Sequence, residues 1–509
     1  MKKRFGDKDW KQYIPMPVDS EHPEYKELYK KAWELAYNHI KSIPDMPQSP
    51  YMDEAFCDTQ IWIWDSCFMS LFCKYAPDVF PGVETLNNFY EVLYDGKNLA
   101  SVSVTAEEPY WTGYTEGEIA PIHIHLADNP PLFAFAEYEN AMLSGDIAHL
   151  RELLYTKQYL QKHYEWFENL KESVIPNNVS HCTCLISEDC GYKWEGARSG
   201  MDNTPRGRVG AKAMKERPNN PNMLWIDAIC QQALSAKCIA RLFELLGDKA
   251  QGTLWNEKFL QKKAIVNRLY WCKEDAFYYD IDCYTHTFYK VMTPASFWAL
   301  TAGIADKEQA LQLAKHTLNP DTLGGIIPLT SVARNDADFV ASGGYWRGAV
   351  WMPTTYASLK GLAEYGMYDI ARTIANKTVR HLYNTYVQFE PHTIWESYAP
   401  EKCEPATTTD NTTLVRKDFC GWSALGPICM YIEYVLGFHT IDAFEKKVYW
   451  EKPKTVGEIG IRNLRFGEIV TDIVANGREC TVVSNASYTL LICDKSFEIN
   501  AGKQKILLV

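Results

Sequence analysis

The chain has 509 residues, of which 46% are hydrophobic and 23% charged, with a formal net charge of −12. An acidic chain without a basic stripe is a poor partner for nucleic acid or an anionic membrane. No apolar run reaches membrane-spanning length, so neither class is expected.

The first residues, Met1-Lys2-Lys3-Arg4-Phe5-Gly6-Asp7, are basic but carry no apolar segment behind them. They do not read as a signal peptide, and a cytoplasmic location is expected, although a leader already removed would leave no sign. A helix follows over 24–43, with Leu28, Ala32, Leu35, Ala36 and Ile40 near helical spacing. Further helical patterns run over 65–75, 82–94, 131–143, 146–170, 223–246, 251–271, 294–301, 307–318, 350–365, 369–387 and 420–436. Gly145-Asp146, Gly247-Asp248 and Gly366 separate neighbouring helices. Helices joined in pairs by tight turns suggest helical hairpins, and about twelve helices suffice for a toroid of six pairs.

From about Lys446 the pattern changes to short alternating runs. Asn476-Gly477 is a hairpin turn signal before a strand over 479–483, and further strands read at 488–493 and 505–509. Two domains are expected: a helical one over 1–445 and a small β-domain over 446–509. The stretches 94–129, 174–222 and 324–348 are too long for plain connections and are expected to build the mouth of a pocket.

The 15 cysteines are odd in number, and Cys67, Cys73, Cys230, Cys238 and Cys429 sit in apolar helical runs. They read as buried free thiols in a reducing compartment. Cys182-Thr183-Cys184 and Cys190 cluster, but no Cys-x-x-Cys pair exists, and no metal or other cofactor is expected.

Four segments carry candidate chemistry. In Gln60-Ile61-Trp62-Ile63-Trp64-Asp65-Ser66, a carboxylate beside two indoles suits a polar ligand with an apolar face; alternatively Asp65 caps a helix and the indoles are core. In Arg198-Ser199-Gly200-Met201-Asp202-Asn203-Thr204-Pro205-Arg206, Asp202 is displayed on a polar loop, or closes an Asx turn. Gly343-Gly344-Tyr345-Trp346-Arg347-Gly348 lets backbone and aromatic rings approach a ligand, or is a tight loop entering a helix. In Thr393-Ile394-Trp395-Glu396-Ser397-Tyr398, followed by Gly421-Trp422-Ser423, Glu396 stands among aromatics that shift a carboxyl pKa, or is a solvated surface residue. The aromatic content of 13%, with 16 Trp and 31 Tyr, fits sugar faces and a large core equally well.

In this order the segments resemble the inverting α-glycosidases of the trehalase and processing α-glucosidase I families, together with the bacterial mannosylglycerate hydrolases (glycoside hydrolase families 37 and 63). The resemblance spans about Trp62 to Trp422. Asn129-Pro130-Pro131, Met223-Leu224-Trp225-Ile226-Asp227 and Phe277-Tyr278-Tyr279-Asp280 are weaker companions. The resemblance implies a mainly α fold, an (α/α)6 barrel with a small C-terminal β-domain. It implies hydrolysis of a terminal α-linked sugar, glucose first, with inversion and without a cofactor. Asp202 matches the family's general acid and Glu396 its general base. Trp64 and Asp65 match residues that hold the sugar, and Tyr345, Trp346, Arg347 and Trp422 line its wall. Asn129 stands where some relatives have Gln. Relatives often carry Glu where this chain has Arg198; that cation would suit a substrate with an acidic group, or pair with Glu195.

Other readings remain open on the sequence. An epimerase or isomerase would use His123 and His125, a phosphorylase would hold its anion on Arg198, Arg206 and Arg208, and a binding protein would have lost catalysis. The expected partner is a small carbohydrate.

Overall fold

Two kinds of helix alternate along the chain, and their burial tells them apart. Ile63–Cys73 is buried at every position and Ile226–Leu245 at nearly every one. Helices that are apolar all round have no solvent face to offer. Tyr368–Gln388, by contrast, buries one stripe, Ala371, Ile374, Ala375, Thr378, Val379 and Leu382. Lys249–Leu269 buries only Gly252, Trp255, Phe259 and Val266. Such helices cover the others from outside. The computed structural model describes residues 9–42, 47–54, 61–95, 129–169, 186–196, 199–207 and 219–508, apart from the side chains at 92, 186, 195 and 219.

Among the described residues the enclosed segments are Ile63–Cys73, Phe133–Ser144, Ile226–Leu245, the pair Pro294–Phe297 and Trp298–Thr301, Met352–Glu364 and the π-helix Gly426–Val435. Each lies against the next in this order, and Gly426–Val435 also touches Ile63–Cys73. The covering helices are Tyr25–Asn38, Gly82–Asp95, Tyr159–Asn169, Lys249–Leu269, Lys307–Lys315 and Tyr368–Gln388. The protein is thus mainly helical with a β-rich C-terminal region.

The helix expected over 146–170 is interrupted. Gln158 adopts a left-handed conformation (φ 55°) between the π-helical turn Glu152–Lys157 and the helix Tyr159–Asn169. The helix expected from 223 begins at Ile226, because Asn219–Leu224 is a strand. That strand belongs to a five-stranded sheet ordered Phe288–Tyr289, Asp280–Asp282, Asn219–Leu224, Gly191–Glu195 and Ile186–Glu188.

In the C-terminal region one sheet runs Thr440–Asp442, Lys447–Trp450, Tyr488–Ile492 and Lys495–Ile499. The other is antiparallel and runs Met16–Asp19, Glu458–Phe466, Ile469–Asn476, Glu479–Ser484 and Gly502–Leu507. Its first strand comes from the other end of the chain, which sequence pattern did not suggest. Asn476 pairs with Glu479 across the two-residue turn signalled by Asn476-Gly477. No helix among the described residues is long and apolar enough to cross a membrane.

Candidate active site

Several candidate residues stand at or just ahead of the starts of the enclosed helices: Asp65 in Ile63–Cys73, Asn129 ahead of Phe133–Ser144 and Trp422 ahead of Gly426–Val435. Trp62 is extended (φ −117°, ψ 148°) and caps Ile63–Cys73 without a side-chain bond of its own. Asp65 therefore lies inside the first turn, where the helix dipole favours a negative charge, and is not the cap. Trp64 is buried and meets Phe68 edge-on at 4.9 Å. Gly200 lies against its indole: a Cβ there would come within 2.9 Å, and its φ of +78° suits glycine. Trp64 is both core and floor for the loop that carries Asp202.

That loop leaves the strand Gly191–Glu195 and is fastened from both sides. The buried Asn203 donates through Nδ2 to Gly344 O (3.1 Å), and its Oδ1 accepts from Trp346 N (2.8 Å). Its carbonyl accepts from Arg347 Nε (3.1 Å). Arg206 is buried between two carboxylates, Asp227 and Asp280, with four N–H···O bonds of 2.7–2.8 Å. Its guanidinium also lies over Trp225, 4.5 Å from the ring centre. The companion motifs around Asp227 and Asp280 thus find their reason in the loop that carries Asp202. Arg206 is wholly engaged there, which takes it out of the anion site a phosphorylase would need. Asp202 itself is half-buried.

Gly343, Gly344 and Tyr345 all have positive φ (114°, 53° and 62°). For Tyr345 this conformation carries strain of about 1–3 kcal/mol, and it directs the phenol to Glu396 Oε1 at 3.2 Å. Trp346 stacks on Trp351 at 4.1 Å with the rings 4° apart, and Trp351 stands 5.7 Å from Trp422. Arg347 donates to Asp338 Oδ1 (2.9 Å) as well as to Asn203 O, so it braces two loops.

Glu396 is 1% exposed, which removes the surface reading. Its Oε2 accepts from Arg416 N and its Oε1 from Arg416 Nη1, both at 3.2 Å. Its carbonyl accepts from Trp422 Nε1 (2.9 Å) and Ser423 Oγ (3.1 Å). Burial pushes the Glu396 carboxyl above its ordinary range, while Arg416 and the Tyr345 hydroxyl pull it back. Asp65 is also pushed up, first by burial and then by the charges of Glu396 and Asp202, against its own backbone N–H and Arg416. Burial likewise raises the Tyr345 hydroxyl, with Glu396 and Asp202 adding to it. Asp65 and Tyr345 each lie within electrostatic reach of both Asp202 and Glu396, so residues from four distant segments share one site.

Asn129 is buried just before the helix Phe133–Ser144, and its Nδ2 has no hydrogen-bond partner among the described residues. Arg198, Arg208, His123, His125, Cys182 and Cys184 lie outside the described residues. Sequence reasoning missed Asn203 as the fastener of the Asp202 loop and Arg416 as the cation on Glu396. Asn203 had a signal in its place beside Asp202; Arg416 had none. Among the described residues Cys272, Glu274 and Asp275 cluster closely enough for a metal ion, but Lys290 already meets both carboxylates, Asp275 at 2.8 Å and Glu274 at 3.5 Å.

Residues 60–412 match the sequence model described as the mannosylglycerate hydrolase MGH1-like glycoside hydrolase domain. An uncharacterized protein of Borreliella burgdorferi is 27% identical over 393 residues, covering 74% of this chain and 75% of its own. The mannosyl-oligosaccharide glucosidase of Saccharomyces cerevisiae is 24% identical over 300 residues, covering 52% of this chain and 33% of its own. The structure of a mannosylglycerate hydrolase from Thermus thermophilus with Tris and D-glycerate superimposes with a TM-score of 0.56 at 17% identity, over 79% of this chain and 99% of that one. At that identity the likeness concerns the fold.

Proposed function

The chain belongs to the mannosylglycerate hydrolase MGH1-like glycoside hydrolase family, and on that premise we propose that it hydrolyses a terminal α-linked sugar, glucose first, with inversion at the anomeric carbon. The observation that carries this reading is the convergence of Asp202 and Glu396 on Asp65 and Tyr345 in one indole-lined site. Inversion requires an acid and a base on opposite faces of the sugar, roughly 6.5–9.5 Å apart, with a water between. Asp202, half-buried on a loop held by Asn203 and Arg206, donates the proton to the departing glycosidic oxygen. Glu396 accepts a proton from the attacking water; burial raises its basicity, while Arg416 and the Tyr345 hydroxyl favour its ionised form. Trp64 and Asp65 hold the sugar, Trp346 and Trp422 close its wall, and Asn129 offers a buried Nδ2 that no described residue engages. Fixing the sugar against the water in this way lowers the entropic part of the barrier.

The same reading treats the alternating enclosed and covering helices as an (α/α)6 barrel, supported by the cyclic order in which the enclosed segments touch. Residues 1–445 would be the catalytic domain and 446–509 a supporting β-domain, with Met16–Asp19 tying the two together.

The test is hydrolysis of α-linked glucosides and mannosides, including some whose aglycone carries a carboxylate, with the first anomer released read by NMR. The β-anomer, lost in both Asp202→Asn and Glu396→Gln, is the expected result. Release of the α-anomer, or activity surviving both substitutions, would overturn the assignment.

A further inference from the structure

Behind the sugar-holding turn lies a carboxyl group that the mechanism above does not use. Glu54 is fully buried. Its Oε1 accepts from Trp62 N at 2.9 Å and from Ser66 Oγ at 2.8 Å. Trp62 is the cap residue of Ile63–Cys73 and has no side-chain cap of its own. Glu54 therefore supplies that cap from eight residues upstream, satisfying an N–H that would otherwise be orphaned at the helix start. The turn it closes holds Ile63, Trp64 and Asp65. The Glu54 carbonyl lies against Gly421, where a Cβ would come within 2.9 Å of it, so the same residue also backs the segment that carries Trp422.

The other oxygen, Oε2, is buried and meets no hydrogen-bonding partner among the described residues. The titratable groups around it are mostly acidic. Asp65 and Asp53 face it, Cys420 lies within its electrostatic reach, and Lys41 lies within reach of Cys420. His39 pairs with Asp53 Oδ2 at 3.0 Å, and Arg416 acts on Asp65 and Glu396. An ionised Oε2 would be a buried negative oxygen beside a second carboxylate, with no hydrogen bond from any described residue, which is far costlier than a neutral carboxyl in the same place.

We propose that Glu54 is a positioning residue of this site: a neutral carboxylic acid that caps the helix start and fixes Trp64 and Asp65 on the turn that faces the sugar. Burial, then Asp65 and Asp53, push the Glu54 carboxyl upward, while the bonds from Trp62 and Ser66 pull it down. That direction agrees with the geometry. The inference rests on the hydrolase reading for its activity readout and on the helix start alone for its protonation readout.

The experiment compares wild type with Glu54→Ala and Glu54→Gln. Alanine removes the cap and lets the turn shift, and a misplacement near 1 Å in a catalytic site costs about 10²-fold in kcat/KM. Glutamine keeps the accepting oxygen and mimics a neutral acid, so it is expected to rescue most of that loss and to reproduce the wild-type pH profile. A Glu54→Gln enzyme as damaged as Glu54→Ala, or one with a displaced acid limb, would mean that Glu54 is ionised and would overturn the proposal. Full activity in Glu54→Ala with only a lower Tm would reduce Glu54 to a structural plug and overturn it too. The proton is read without turnover by the infrared C=O stretch of a neutral carboxyl, expected in wild type and missing in Glu54→Gln. Its absence in wild type overturns the proposal even if the enzyme hydrolyses none of the sugars tried. That failure of activity, with the band present, would count against the hydrolase reading and for the neutral cap.

Discussion

Asn203→Ala isolates what holds Asp202 in place. The substitution leaves Asp202 and the backbone bond from Arg347 untouched, but it deletes both side-chain bonds to the loop 343–348. Gly344 O and Trp346 N then face a buried space without their partner. Each buried polar group left unsatisfied costs about 1–3 kcal/mol, so the pair costs about 2–6 kcal/mol, less whatever an entering water recovers. Trp346 is stacked flat on Trp351, so its backbone has little freedom to find a new acceptor. The strain is relieved by letting the two loops part, which moves Asp202 relative to Glu396. A displacement of that order is worth about 10²-fold in kcat/KM. The assay pairs urea denaturation with kcat/KM on the preferred α-glycoside, and Asn203→Asp serves as comparison. Aspartate still accepts from Trp346 N but sets a carboxylate against the Gly344 carbonyl, so it should fall between wild type and alanine in stability and below wild type in rate. Wild-type stability and rate in Asn203→Ala would refute the view that this side chain positions the acid.

Three further outcomes follow from the same contacts. Arg416→Gln removes the cation that lowers Glu396; a base with a higher pKa is protonated at higher pH, so the acid limb of kcat/KM moves upward in pH. Because Arg416 is 43% exposed, the wild-type effect should weaken with added salt, and an unmoved limb would sink the assignment. Arg206→Met leaves Asp227 and Asp280 buried without their cation, and breaking a buried ion pair costs about 3–5 kcal/mol, read as a large fall in Tm; an unchanged Tm contradicts this. Burial opposes charging of His149, but Glu137, 2.8 Å away, outweighs it and raises the imidazole to about 9. A group raised on folding contributes fully below its unfolded value of 6.5 and loses that contribution as pH climbs through about 9. His149→Gln should flatten stability against pH across that window, and a parallel curve would refute the pairing.

How far the sequence reached depends on the range over which each contact acts. Helix boundaries set by local chemistry were readable. Gly145 takes up a left-handed φ of 63° and Asp146 caps the next helix through His149 N, while Asp248 does the same through Gln251 N. Gln158 was not readable, since nothing in its side chain favours the left-handed conformation that breaks the helix there. The strand Asn219–Leu224 was missed because its partners, Gly191–Glu195 and Asp280–Asp282, lie far along the chain. At the site, aromatic residues beside Asp65 and Glu396 and a polar loop around Asp202 picked out segments that the structure brings together. Their fastening was invisible for a physical reason. Arg416 meets Glu396 by folding back a loop of ordinary composition, and Arg206 is matched to Asp227 and Asp280 only in three dimensions.

The strand Met16–Asp19 sits at the edge of a sheet whose other members all come from the last fifty or so residues. Ser20 and Glu458, which bond across this seam, are 438 residues apart in sequence. During synthesis at about 5–20 residues per second, the early strand therefore waits roughly 20–90 s for the strand that completes it. Until then its backbone donors and acceptors are an open template for any extended chain nearby. The seam closes only after the chain has grown 438 residues beyond Ser20, to Glu458, so removing Glu458–Phe466 would leave Met16–Asp19 without its partner strand.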